Sequence, residues 1–398
     1  MINSYESSNK TKSVLTEVYS QKRGTCVTVV ILGIIIGIFA FAYITFGNEP
    51  MTDALAVNST LKLVSIIIHH GQTSPKFTYP SDPYNNDSRW IIGLGELTKK
   101  GKQNMFSLGK YFRERYTGFL PELYFSSDLE VQSPNADTCL MSAAVLLAGL
   151  YPPHKYQIWN PTILWQPIPV KGISRETDKM LDLTANCPQL TRKINEIENG
   201  IKKTDTKLPK LYEYLNENTG REFSNLSSVL ALYNLLNAQE RNAFPLPEWT
   251  QSVYPDMLYK YAILSLLVQT ENQEITTLSS GVLLDKINSD MKNRHNNMTH
   301  KKMFLYAAHE QPIVNLLRIL DREKFTSNKM KPEFSSAVII ELHLISGQSV
   351  VQAFYLPKNG KMPSAINITE CGNPCLLDNF SKYVRPLIPR DWESACYV

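Results

Sequence analysis

The sequence has no strong excess of charge of either sign. Its 398 residues include 41 Lys and Arg against 37 Asp and Glu, for a formal net charge of +4. The basic residues form no stripe, so we expect no nucleic-acid partner. Internal repeats and low-complexity tracts are also lacking, which excludes a repeat architecture. A hydrophobic content of 43% is ordinary for a globular protein and is enough for a full core.

Charged residues are missing altogether from Cys26 to Phe46, over 21 positions. That length is enough for a helix to cross about 30 Å of hydrocarbon, so we predict a membrane span at residues 26–46. Lysines and arginine precede it in a polar tail of residues 1–25, and acidic residues follow in a linker of residues 47–60. The positive-inside rule then predicts a single-pass type II protein with an extracellular or lumenal C-terminal domain. The alternative is secretion after signal cleavage near Ala40-Phe41-Ala42.

Glycosylation sequons and cysteines support the secretory pathway. Six sequons follow the span, at Asn58, Asn86, Asn225, Asn297, Asn367 and Asn379. Five cysteines also follow the span, so at least one thiol is free or pairs with another chain. The pair Cys371 and Cys375 could close a local bridge or clip a metal. Because no second pair with ligand spacing accompanies it, we favour the bridge and expect neither metal nor cofactor.

The first half of the outward part alternates strands and helices. Leu61 to Ile68 is apolar throughout and predicts a strand buried on both faces. A helix is predicted from Thr98, its N-cap, to Tyr116, followed by a short strand from Leu123 to Ser126. A buried helix from Pro134 to Leu150 would open at Asn135 or Asp137. This alternation indicates the α/β class.

From about residue 165 to 300 the sequence consists of Leu-rich helical stretches separated by polar or Pro-bearing loops. This pattern predicts a mainly helical second domain inserted into the first. Helices are expected around 190–200, 208–217, 226–237, 254–271 and 278–293. Strand character returns at Lys302 to Ala308, followed by a helix from Ile313 to Leu320. Two strands, Ser336 to Ile345 and Ser349 to Leu356, then flank Ser346-Gly347 as a hairpin.

Two histidines stand directly after apolar strands. His70 follows the first strand and precedes a Gly71 turn, and His309 follows the strand that ends at Ala308. Strand ends of this kind meet at the carboxyl edge of a sheet, where open α/β folds bind their ligands. Such a pair suits a nucleophile facing a proton donor. The alternative is that each is an ordinary hydrogen-bonded histidine.

Around these histidines the sequence resembles the histidine acid phosphatases, over nearly all of residues 61–397. The shared motifs stand in the family's order: Tyr79-Pro80-Ser81-Asp82-Pro83-Tyr84, Gly95-Glu96-Leu97-Thr98, Leu140-Met141-Ser142-Ala143, Trp165-Gln166-Pro167-Ile168-Pro169-Val170, Asn186-Cys187-Pro188 and Asp391-Trp392-Glu393. The resemblance implies one family domain over 61–398. Its fold would be a phosphoglycerate-mutase-like sheet with helices on both faces and the helical insertion.

The family's signature is Arg-His-Gly-x-Arg-x-Pro, with a later His-Asp pair. By resemblance His70 is the nucleophile, His309 a phosphate contact, and Glu310 stands at the proton-donor position. His69, Thr73 and Gln132 replace the family's three phosphate-binding arginines. These arginines bind a dianion bidentately and neutralise charge during phosphoryl transfer. Only other cations could replace them, such as His69 itself in an acidic compartment, or Lys76.

The resemblance also implies a bridge between Cys187 and Cys396 and a local bridge between Cys371 and Cys375. Cys139 is expected to be a small apolar filler, and a homodimer is possible by analogy. The leading interpretation is a membrane-anchored binding or scaffold ectodomain with lost or strongly reduced activity, whose ligand is a phosphate monoester or unknown. The rivals are an active acid phosphatase that forms a phosphohistidine at His70, and a copy under relaxed constraint.

Overall fold

In the computed structural model, the apolar run that begins at Leu61 forms the central strand of a seven-stranded sheet. All but one residue of this strand is buried, because it has sheet neighbours on both edges and helices on both faces. The strands are β1 (Leu61–His69), β2 (Leu129–Pro134), β3 (Lys171–Ile173), β4 (Met303–Ala308), β5 (Ala337–Ile345), β6 (Gln348–Leu356) and β7 (Ser364–Ile366). Their order is β3-β2-β4-β1-β5-β6-β7, with β3, β2, β4 and β1 parallel and the rest antiparallel.

The structure describes residues 59–85, 90–182, 187–325, 331–358 and 360–397. The predicted tail, the predicted span at 26–46, most of the linker, and the sequons at Asn58 and Asn86 lie outside these residues. Among the described helices, none has both the length and the apolar character needed to cross a membrane.

Helices cover both faces of the sheet, as the α/β prediction requires. They are α1 (Lys99–Arg115), α2 (Asp137–Leu150), α3 (Pro188–Thr204), α4 (Lys207–Thr219), α5 (Leu226–Arg241), α6 (Asp256–Leu267), α7 (Gln273–His295), α8 (Glu310–Leu320), α9 (Leu377–Val384) and α10 (Trp392–Cys396). One apolar cluster joins α1 and α2 to one face, and another joins α7, α8 and α9 to the other. Thr98 caps α1 as predicted, since its side chain accepts from the N–H of Gly101 at 2.9 Å.

One local prediction is wrong and another is confirmed. Residues 123–126 form no strand, because the side chain of Gln157 bonds both the N–H and the carbonyl of Tyr124, at 3.0 and 2.7 Å. The strand instead begins at Leu129, where the backbone pairs with β4. Helix α2 begins at Asp137, one of its two predicted starts, with Ala136 as its N-cap, and the N–H of Asn135 donates to the carbonyl of Ile173 at the end of β3.

The predicted helical stretch contains the short β3 and then the five helices α3 to α7 before the chain returns to the sheet in β4. Four of these helices and the β5–β6 hairpin lie close to their predicted positions, whereas the stretch 254–271 is α6 followed by a short 3-10 turn. Ser346 and Gly347 turn the hairpin with φ of 49° and 79°, the left-handed region that favours glycine. The described residues from Ser59 onward belong to one compact unit.

Both implied disulfides are confirmed. Cys187 at the start of α3 is bonded to Cys396 at the end of α10, across 209 residues of sequence. Cys371 and Cys375 form the local bridge. Cys139 is a free, buried thiol. A cross-link over so long a loop removes much conformational freedom from the unfolded chain.

Candidate active site

The two histidines lie at the same sheet edge, as predicted. Strands β1 and β4 are parallel neighbours with His69 opposite Ala308, and the N–H of His70 donates to the carbonyl of Ala308 at 3.0 Å. The rings of His70 and His309 are 5.3 Å apart between centroids and nearly perpendicular. Their side chains line one cavity of about 380 Å³.

The backbone orients the His70 ring. Nδ1 of His70 lies 2.8 Å from the carbonyl oxygen of Gly71. Because a carbonyl only accepts, Nδ1 holds the proton and Nε2 keeps its lone pair. Burial is the main cause that lowers the pKa of His70 to about 4, and the charge of Lys76 lowers it further. At neutral pH His70 is therefore a neutral imidazole whose Nε2 could attack an electrophile.

The turn after His70 depends on glycine for close packing. A Cβ at Gly71 would lie 2.8 Å from the carbonyl oxygen of Gly101 and 2.9 Å from side-chain atoms of Leu97 and Met105. The N–H of Gly71 donates to the hydroxyl of Ser142 on α2 at 3.0 Å. Any side chain at position 71 would force α1 away from this edge of the sheet.

Glu310, the first residue of α8, is held in an ion pair. Nζ of Lys331 lies 2.5 Å from one carboxylate oxygen, and the side-chain amide of Asn234 donates to the other at 3.2 Å. Burial alone would raise the pKa of Glu310, but the charge of Lys331, the nearby His69 and the hydrogen bonds from Lys331 and Asn234 together outweigh it and lower the pKa to about 2. The carboxyl group is therefore ionised throughout the ordinary pH range and has no proton to give.

His69 carries no charge in this environment. Its side chain is only 2% exposed, Nδ1 lies 3.0 Å from the carbonyl oxygen of Glu333, and its ring is 5.0 Å from that of Phe334. Burial lowers the pKa of His69 well below its usual value, and the neighbouring His70 lowers it further. The buried position therefore disfavours the protonated form in which His69 was expected to replace an arginine.

The residues at the family's other two arginine positions, Thr73 and Gln132, do not lie together in the cavity. Thr73 is buried, lines the cavity and pairs through its backbone with Leu97. Gln132 is half-buried within β2 opposite Tyr306, three residues before His309, and is not among the residues that line the cavity. No guanidinium stands at any of the three positions.

Two walls of the cavity were missed by the sequence reasoning. One is a face of α5, whose lining residues recur at helical spacing: Ser227, Leu230, Ala231, Tyr233, Asn234, Leu235, Asn237, Ala238 and Arg241. The other is the segment 331–334, in which Phe334 packs 5.5 Å from the His70 ring. Polar residues at i, i+3 and i+7 of an apolar helix, as at Asn234, Asn237 and Arg241, were the available signal for the first wall.

Cys139 contacts the second histidine without being reactive. Its Sγ lies 3.9 Å from Nδ1 of His309. Burial raises the pKa of the thiol to about 12, and burial together with the charge of Lys76 lowers the pKa of His309 to about 3. Both groups are neutral, and a neutral thiol is a poor nucleophile.

Known proteins share this sequence pattern and fold. The sequence profile of the histidine phosphatase superfamily (branch 2) matches residues 45–356. Human prostatic acid phosphatase is 32% identical over 355 residues, which cover 86% of this chain and 90% of that protein. The chain belongs to branch 2 of the histidine phosphatase superfamily. The resemblance seen in the sequence is thereby confirmed.

Further branch 2 relatives match over similar lengths. Lysosomal acid phosphatase of Xenopus laevis is 33% identical over 351 residues, covering 86% of this chain and 80% of that protein. Among solved structures, Hafnia alvei phytase in complex with tartrate has a TM-score of 0.59 at 14% identity, over 85% of this chain and 98% of that one. The phytase likeness shows the fold alone.

Proposed function

We propose that this branch 2 histidine phosphatase has lost most or all of its phosphomonoesterase activity and acts as a binding or scaffold ectodomain. The observation that carries the proposal is the ion pair between Glu310 and Lys331. A carboxylate held by an ammonium group cannot protonate a leaving alkoxide, and general acid catalysis typically contributes about 10²–10⁴-fold.

The absence of the three arginines also lowers the expected rate of phosphoryl transfer. Removing one preorganised donor from a charge-stabilising site typically costs about 2.7–4 kcal/mol, or 10²–10³ in rate. His69 is uncharged here, and Thr73 offers at most one neutral hydroxyl donor. The losses need not add linearly, but together with the locked carboxylate they support a fall of several orders of magnitude.

One observation favours the alternative, an active acid phosphatase that hydrolyses phosphate monoesters through a phosphohistidine at His70. The nucleophile position keeps the required tautomer, with Nε2 unprotonated. Lys76, Arg241 and Lys331 also line the cavity and supply positive charge. The two lysines are point charges on flexible stems and lack the rigid fork that matches a phosphate. Arg241 has that fork, but its guanidinium lies over the Phe334 ring, 5.9 Å from the ring centroid.

Turnover of an aryl phosphate decides between the two functions. The full-length chain is assayed at acidic and neutral pH beside its His70→Ala variant, with human prostatic acid phosphatase as a positive control. We expect the wild-type rate to match that of His70→Ala at every pH. Turnover that disappears in His70→Ala and approaches the rate of human prostatic acid phosphatase would establish the alternative and overturn the proposed loss of activity.

The type II topology and the glycosylation are part of the same proposal. Of the sequons in the described residues, Asn297 and Asn367 are exposed. Asn225 caps α5 by accepting from the N–H of Ser228 at 2.9 Å, and Asn379 donates to the carbonyl of Cys371 at 3.2 Å. A glycan at Asn379 would break the second contact.

Expression of the full-length chain with an N-terminal tag in secretory cells tests this part. Glycopeptide mapping should find high occupancy at Asn297 and Asn367 and lower occupancy at Asn379. The tag should stay on the glycosylated product, because the anchor is not cleaved. Loss of the tag would favour the secreted form, and a chain without glycans would contradict the lumenal orientation. The homodimer stays a prediction.

A further inference from the structure

A second large cavity lies toward the other end of α8 from Glu310. Its volume is about 680 Å³, and among the described residues it shares no lining side chain with the cavity at His70. Arg318 lines it from the last turn of α8, eight residues after Glu310, which corresponds to about 12 Å along the helix axis. The first turn of α7 and Tyr383 on α9 form other parts of its wall. This cavity is therefore distinct from the site at the two histidines.

The wall of this cavity includes part of a glycosylation sequon. Asn367-Ile368-Thr369 follows β7, and Thr369 lines the cavity. Ile368 is buried in the apolar core, whereas Asn367 is exposed. The hydroxyl of Thr369 donates to the carbonyl oxygen of Asn367 at 3.5 Å. Because the backbone of Asn367 lies this close to a side chain in the wall, a glycan on Asn367 starts at the rim of the cavity.

The polar groups in the wall suit a neutral, hydroxyl-rich ligand. Charges of both signs are present, since Arg322 and Glu370 both line the cavity, so an ion of one sign is not favoured. Gln273 and Thr276 on α7 add an amide and a hydroxyl. The hydroxyl and acetamido groups of a sugar donate and accept hydrogen bonds, and can therefore pair with all of these side chains.

Two side chains of the wall are held in place by the backbone. The guanidinium group of Arg322 donates to the carbonyl oxygens of Thr270 and Glu271 at 3.2 and 3.1 Å. The hydroxyl of Tyr383 donates to the carbonyl oxygen of Ile319, which fixes the ring in the wall. Side chains that are already ordered lose little entropy when a ligand binds. The aromatic ring also offers an apolar surface to the C–H face of a sugar ring.

We propose that the first two N-acetylglucosamine units of a glycan on Asn367 lie in this cavity, against Tyr383 and Arg322. The volume falls in the range of about 300–1,000 Å³ that is typical of small-molecule sites, which is enough for a disaccharide. The glycan then joins the sequon to α7, α8 and α9. The inference rests on the lumenal orientation in the proposed function, because the glycan donor is found only in that compartment.

The attachment itself is the ordinary transfer from a diphosphate-linked oligosaccharide donor of the secretory pathway. Nδ2 of Asn367 forms a bond to the anomeric carbon of the donor sugar. The bond from that carbon to the diphosphate oxygen breaks, the diphosphate leaves with its electron pair, and the amide loses one proton.

Enzymatic release of the glycans from the folded chain tests the inference. The full-length chain is produced in secretory cells that leave oligomannose glycans at every site, and an endoglycosidase that cuts between the two core N-acetylglucosamine units is added. At Asn367 we expect release about tenfold slower from the folded than from the denatured chain, because a bond held in the cavity about nine-tenths of the time is cut only in the open state. Asn297, which is exposed, should show little difference between folded and denatured chains.

Variants of the wall separate binding in the cavity from simple crowding at the surface. Arg322→Ala and Gln273→Ala should each speed release at Asn367 about twofold or more, the effect of losing one hydrogen bond, and leave Asn297 unchanged. Lys324→Ala is the matched control. Lys324 is exposed and donates to the carbonyl oxygen of Ala365 near the sequon at 3.1 Å, but it is not among the described residues that line the cavity. Its removal should leave both rates unchanged.

Three results would each overturn the inference. They are equal protection of the glycans at Asn367 and Asn297, slow release at Asn367 that neither Arg322→Ala nor Gln273→Ala changes, and an empty Asn367 in a chain whose Asn297 carries a glycan. A chain without any glycan would overturn the lumenal orientation and this inference with it. Aryl phosphate turnover is measured separately, so the proposed loss of activity stands or falls independently.

Discussion

Arginine at positions 69, 73 and 132, combined with Glu310→Asp and Lys331→Leu, should convert the chain into a measurable phosphatase. The first three changes restore the guanidinium groups that the family uses. The last two restore its carboxyl donor and remove the ammonium group that holds the carboxyl ionised. Each restored donor is worth about 10²–10³ in rate in such sites, so the gain over wild type should reach several orders of magnitude.

The order of the gains separates the two defects. The three arginines alone should give only a partial gain, because Glu310 still cannot donate a proton. Lys331→Leu alone should give almost no gain in rate, because no guanidinium group at positions 69, 73 or 132 binds the phosphate. The rate gain of the combined variant should exceed the product of the two separate gains, because phosphate positioning and proton transfer act on the same transition state.

Two controls accompany the rate measurement. His70→Ala in the combined background should abolish the activity, which assigns it to the phosphohistidine route. Thermal melting shows whether an arginine fits at position 69, where the native side chain is 2% exposed and packs on Phe334. A folded combined variant without activity would mean that the cavity differs from an active phosphatase by more than these five residues.

The sheet edge could be predicted because its determinants are local. An apolar run that stops at a histidine is visible in the sequence, and parallel strands bring such ends together whatever lies between them. The N-cap at Thr98 and the turn at Ser346-Gly347 can likewise be predicted from the few residues around them. The strand predicted at residues 123–126 is absent because the determinant there is not local. The side chain of Gln157, more than 30 residues later in the chain, forms hydrogen bonds with that backbone.

The charge states in the site could not be predicted in the same way. In the sequence, Glu310 looks like a conservative replacement of a proton donor. In the structure, Nζ of Lys331, 21 residues later, lies 2.5 Å from its carboxylate. His69 looks like a replacement cation until its burial is known. In both cases the residue type was known but the pKa was set by groups that a loop brings from elsewhere, and the function depends on the pKa.

Acid should destabilise the fold strongly, because the three histidines at the sheet edge are buried in the neutral form. The pKa is about 4 for His70 and about 3 for His309, and that of His69 is also lowered, against a usual value of 6.5. Between pH 6.5 and 4 the unfolded chain binds protons that the folded chain excludes. The free energy of unfolding therefore falls as pH falls, by up to about 1.4 kcal/mol per pH unit for each histidine.

Urea unfolding at pH 7, 6 and 5 measures this slope. Stability should drop by several kcal/mol over the range, and His309→Asn should flatten the curve because one proton uptake is removed. His300→Gln, at an exposed position, should leave the slope unchanged. Glu310 adds no slope here: its pKa is depressed, so its stabilisation is complete above its usual pKa of about 4.5 and is lost only as pH falls toward 2. A wild-type curve that is flat from pH 7 to 5 would contradict the neutral histidine cluster, and with it the uncharged state of His69 on which the proposed loss of activity partly rests.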